Sequence, residues 1–187
     1  MTELKREVGG WGGLGDRRYE RYVDAFDWVE KCLGEGYYLE AIAVLDSLIN
    51  DRLNSRLGYV TKTEIDSWLT CGQLCRDLVG KGGKNTGAEK DADFRTAITD
   101  IQNWVKMRNE AMHATAKILR DEEGQPFTAI LQQHRQAAVD GIRCLRAFDE
   151  LDTADRARVN KHPASAPNAF FPERRLSPAS LQEASVS

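Results

Sequence analysis

Three polar side chains stand close together in the segment Arg108-Asn109-Glu110-Ala111-Met112-His113, and their types are those of phosphodiester cleavage without a metal. An imidazole exchanges protons near neutral pH, so it can act as general base or acid. A guanidinium is permanently cationic and can stabilise charge building on a phosphate, while a carboxamide can orient a hydroxyl or a phosphate oxygen. Asn109 and His113 are four apart, which places them on one face of a helix with Arg108 beside them on the same turn.

The element that must carry them is a helix expected from Asp91 to Leu119, an interval free of glycine and proline. On a wheel of about 100° per residue with Phe94 at zero, Ile98, Ile101, Val105, Met112 and Leu119 fall within about 40° and form the core stripe. Arg108 falls at about 320°, inside that stripe, with Asn109 near 60° and His113 near 100°. An unpaired buried charge costs several kcal/mol, so Arg108 must be paired, reach solvent along a groove, or line a site. Asp46 is equally out of place on a stripe with Ile42, Ile49 and Leu53, and an Asp46–Arg108 salt bridge is the structural alternative to a catalytic arginine.

The remaining pattern predicts four more helices and no strands. Tyr19, Tyr22, Val23, Phe26, Val29 and Leu33 recur at helical spacing after Asp16, a candidate cap, and Gly34 and Gly36 stop the run. A second helix carries Tyr38, Ile42, Leu45, Ile49 and Leu53 to about Gly58. Thr61-Lys62-Thr63-Glu64 fits a capping box and predicts a third helix through Ile65, Trp68, Leu69, Cys75 and Val79 to Gly80. Pro126 opens a fifth that carries Phe127, Ile142, Leu145, Phe148 and Leu151. The expected architecture is an all-α antiparallel bundle of about five helices over residues 16–151. A flexible glycine-rich arm (1–15) precedes it, and a disordered tail (152–187) rich in Pro, Ser and Ala follows. Within that tail Phe170-Phe171-Pro172 is the element expected to pack locally.

Composition narrows the function classes. A net charge of -3 over 187 residues argues against a broad grip on duplex nucleic acid, yet leaves room for a small basic cleft. The apolar runs are too short for a membrane span, and the polar N-terminus lacks the apolar stretch of a secretory signal, so a cytoplasmic protein is expected. Gly10, Gly12 and Gly15 spell G-x-G-x-x-G without a preceding strand, and the Gly80–Gly87 loop lacks phosphate-cradling spacing. Cys71 and Cys75 have no second pair to make a zinc site, and Cys32, Cys71, Cys75 and Cys144 read as reduced, buried thiols. No metal and no cofactor is expected. His134 reads as a core histidine, and His162, beside Pro163, has no assigned role.

The segment from Arg108 to His113 resembles the R-x4-6-H motif of the HEPN superfamily, including the polar residue that commonly follows its arginine. Its place on a long fourth helix, and Tyr37-Tyr38-Leu39-Glu40-Ala41-Ile42 on the second, are also similar to that family. The resemblance covers residues 16–151 and implies a metal-independent endoribonuclease acting as a homodimer, of the kind used in toxin–antitoxin and phage-defence systems. It implies His113 as general acid or base, Arg108 as the charge stabiliser and Asn109 as the positioning group. The same fold without nuclease activity would serve as an RNA- or protein-binding module. Thr115 stands where some members carry a tyrosine that an antitoxin partner modifies, so control by that route is not implied here.

Overall fold

A glycine ends the first helix, α1 (Leu14–Glu35). Gly36 adopts φ 85°, a left-handed conformation open to a residue without Cβ, and the Tyr37 amide donates to the Cys32 carbonyl at 2.8 Å to close the turn. α2 (Tyr38–Thr61) then runs back along α1. The computed structural model describes residues 14–66, 68–81, 86–114, 126–160 and 170–172. Among these the chain is all-helical, and α3 (Cys71–Val79), α4 (Ala92–Ala114) and α5 (Phe127–Asn160) complete five helices. Thr115, Leu119, His162, most of the glycine-rich arm and most of the tail lie outside the described residues.

α2 is the central element. It packs against α1, α3 and α5, which is why its buried residues extend beyond one stripe, from Ile42, Leu45, Ile49 and Leu53 to Asn54, Ser55 and Arg56. α4 packs against α3 and α5 and closes the bundle. Trp104 anchors that contact: its indole Nε1 donates to the Ala137 carbonyl at 2.7 Å. Gly141 makes room for it, since a Cβ there would stand 3.0 Å from the indole ring.

Several expected boundaries move, each for a local reason. α1 starts at Leu14, so Asp16 lies inside its first turn instead of preceding it. α2 does not stop at Gly58. The glycine is there because the chain folds back over it, leaving a Cβ only 3.2 Å from the Thr63 carbonyl oxygen. Thr61 spends its hydroxyl on the Leu57 carbonyl at 2.8 Å, and Lys62 takes the left-handed C-cap. The capping box instead lies nine residues on, with Thr70 at the cap and Gln73 answering it, so α3 begins at Cys71. Ile65 and Leu69 are therefore connector residues, and Trp68, expected on that helix, lies in the connector and is 89% exposed.

The expected boundary after Leu151 falls inside α5, which continues to Asn160. Its last turns carry Asp149, Asp152 and Asp155, which pair with two arginines of α2. Arg52 meets Asp149 and Asp152, and Arg56 reaches Asp155 at 2.7 Å and Glu89 at 2.5 Å. Phe170 and Phe171 are buried in the core, edge-on to Tyr22 (5.2 Å between ring centroids) and Phe26 (4.1 Å). Arg146 lies 4.1 Å from the centroid of the Phe171 ring, a cation–π contact that fastens the segment to α5.

Candidate functional site

The helical face expected to bear Arg108 does bear it. Phe94, Ala97, Ile98, Ile101, Trp104, Val105 and Ala111 are buried along α4, and Arg108 sits half-buried among them. Its Nη2 stands 2.8 Å from Asp46 Oδ1 on α2, the partner anticipated from the two misplaced charges. The contact is an ion pair without hydrogen-bond alignment, because Asp46 Oδ1 and Arg108 Nε have no hydrogen-bond partner among the described residues. Arg108 Nε is shielded from solvent and left without an acceptor among the described residues.

This pair stands in the wall of a cleft of about 900 Å³ between α2, α3 and α4. α2 contributes Asn50 and Asn54, α3 contributes Arg76, and α4 contributes Lys106 and Asn109. Trp68 and Thr70 form the connector side. The lining holds four cations (Arg76, Lys81, Lys106, Arg108) against two acids (Asp46, Asp51). Both acids already face a cation: Asp46 faces Arg108, and Asp51 is held by Arg18 and accepts from the Tyr22 hydroxyl at 2.9 Å. An acidic chain therefore presents a locally cationic cleft.

His113 is placed differently. It is exposed on the last turn of α4 and is not among the residues lining the cleft. Five residues separate it from Arg108, which on a helix is about 7.5 Å of rise and about 140° of rotation. One chain brings Arg108, Asn109 and Asp46 to one cleft and leaves His113 exposed outside its lining. Met112, expected in the core stripe, is 46% exposed. Its angle on the wheel is that of Phe94, but it lies in the last turns of α4, where little of the bundle covers that face among the described residues.

The other candidates fall inside the fold. Cys71, Cys75 and Cys144 are buried, and burial pushes their thiols up, Cys75 to about 12 and Cys144 to about 11, which leaves them protonated and unreactive. Among the described residues no group of three or more His, Cys, Asp or Glu could hold a metal ion, and no helix is long and apolar enough to cross a membrane.

His134 is 1% exposed, and burial pushes its imidazole below the ordinary 6.5 against a smaller opposing push from a hydrogen bond with the Ala111 backbone. The folded chain holds it neutral where the unfolded chain takes up a proton. Stability is therefore lost as pH falls below about 6.5 toward the lower folded value. Urea midpoints should fall more for the parent than for His134→Gln between about pH 7 and pH 5, and equal falls would exclude His134 as the cause.

The wheel located Arg108, Asn109 and Asp46 but not the rest of the cleft. Asn50 and Asn54, one turn apart among the leucines of α2, were a readable signal of a polar strip. Trp68 was hidden by the misplaced start of α3. Comparison with family models, curated proteins and solved structures gives no match to this chain.

Proposed function

We propose that the chain is a metal-independent endoribonuclease of HEPN type that cleaves RNA with Arg108, Asn109 and His113. The observation that carries this reading is the half-buried Arg108 guanidinium in the wall of a cleft lined by more cations than acids, whose two acids already face cations. His113 would accept the proton of a ribose 2′-hydroxyl as the 2′-oxygen attacks phosphorus, and the 5′-oxygen would leave with a proton returned to it. Arg108 would stabilise the charge on the phosphate and Asn109 would hold a nonbridging oxygen. Because His113 stands about 140° around the helix from Arg108, a second copy set against the exposed end of α4 would complete the site. That is the homodimer the family resemblance implies. A toxin or phage-defence role in the cytoplasm, with an antitoxin or other partner, belongs to the same reading.

A second reading is favoured by the Asp46–Arg108 pair itself: a non-catalytic RNA- or protein-binding module in which Arg108 only closes a salt bridge. Arg108→Ala separates the two. A partly exposed pair contributes at most about 1 kcal/mol, so the nuclease reading expects a small change in Tm. Cleavage of total RNA should meanwhile fall by about 100- to 1,000-fold. A large loss of Tm, from a parent that cuts no RNA, would establish the module instead.

A further inference from the structure

The geometry points to Trp68 as a stacking platform for an unpaired base of the RNA strand, an inference that rests on the RNA reading above and adds how the strand is held. We propose that the cleft takes single-stranded RNA, its phosphates running past the cations of α3 and α4 and one base lying on the indole.

The indole is 89% exposed at the rim of the cleft, and side chains of α2 hydrogen-bond to Asp66 and Leu69 near it. Asn54 Nδ2 donates to the Asp66 carbonyl at 3.1 Å, Asn50 Nδ2 donates to the Leu69 carbonyl at 2.8 Å, and the Trp68 amide donates to Asp66 Oδ1 at 2.9 Å. Thr70 then caps α3. Two side chains of the central helix thus hold the connector while its largest apolar group is left in water. Arg76, Lys81, Lys106 and Arg108 line the same cleft as the indole.

An aromatic face beside a cationic track is what a single strand needs, because each of its bases offers a free π-face and each linkage a phosphate. A duplex keeps its bases stacked and has none to offer. The chain's overall charge of -3 favours this local grip over a broad one on duplex phosphates.

The test measures binding apart from cleavage, using a labelled 2′-O-methyl oligouridylate, which lacks the attacking hydroxyl, and a 2′-O-methyl duplex of equal length. Both are titrated against the full chain by fluorescence anisotropy. Trp68→Ala should weaken single-strand binding about tenfold, Trp68→Phe should recover most of it, and the slope against salt should stay unchanged because stacking releases no counterions. Duplex binding should be weaker and indifferent to residue 68. Exposure of the indole means that Tm should not move. A change of less than about twofold for Trp68→Ala, equal losses on strand and duplex, or no single-strand binding by the parent would each overturn the platform. A parent that binds in the Trp68-dependent way but cuts no RNA retires the nuclease alone; one that cuts RNA with Trp68→Ala binding unchanged retires the platform alone.

Discussion

Replacing His113 by alanine is expected to lower RNA cleavage by about 100- to 10,000-fold, the usual worth of a positioned proton-transfer group. A thousandfold loss corresponds to about 4 kcal/mol of transition-state stabilisation, which a surface side chain with no structural task can lose without unfolding anything. His113 has no such task among the described residues, where it is exposed on the last turn of α4. Alanine is the better helix former by a few tenths of a kcal/mol, and the histidine's favourable place near the C-terminal dipole is worth a similar amount, so the two nearly cancel. The thermal midpoint of His113→Ala should match the parent. His113→Gln should lose cleavage equally, because a carboxamide keeps the size and polarity but moves no proton. Full activity in either variant would remove His113 from the mechanism.

Arg56→Ala is expected to destabilise the bundle by about 3–5 kcal/mol, a large share of the roughly 5–15 kcal/mol that holds a typical domain folded. The arginine is buried, with its Nε donating to Glu89 at 2.5 Å, its Nη1 donating to Asp155 at 2.7 Å and its guanidinium 3.4 Å from the centroid of the Phe94 ring. Glu89 is buried too, and its other oxygen accepts from the amides of Lys90 and Asp91, both at 2.9 Å. One side chain thus joins α2, the connector into α4, and α5. Removing it strands the Glu89 carboxylate in the interior, and that orphaned charge accounts for most of the cost. At about 2–4 °C per kcal/mol for a chain of this size, Tm should fall by about 10 °C. Lysine cannot span both acids and should rescue only part. Adding Glu89→Gln to Arg56→Met should restore stability beyond the sum of the single changes, and simple additivity would show that the pair is not coupled.

The contrast between these two residues shows what could be read along the chain. Arg108 was legible because a helical wheel exposes a charge on an apolar stripe, and the Asp46 partner followed from the same anomaly on α2; His113 was picked out by its spacing from Asn109. Helix order was legible because glycine and proline mark the ends, as Gly36 and Pro126 do. The Arg56 network was not, since it joins residues 33 and 99 positions apart and depends on α5 continuing to Asn160. Still, Arg52 and Arg56 one turn apart beside Leu53 carried a hint of it. The start of α3 was misread because threonine followed by glutamate or glutamine three residues on stands at Thr61 and again at Thr70. Only tertiary contacts choose between them: Thr63 folds over Gly58, while Asn50 and Asn54 hold the connector. Trp68 moved from the expected helix to the cleft rim with that one boundary. Phe170 and Phe171 were recognised as apolar, but their place against Tyr22 and Phe26 depends on a cavity no local pattern describes.

Proton transfer by an imidazole beside a guanidinium predicts one kind of product. The parent chain, incubated with RNA in excess EDTA, should yield fragments ending in 2′,3′-cyclic phosphate and 5′-hydroxyl groups. Fragments bearing 5′-phosphates, or cleavage that disappears on chelation, would contradict the account.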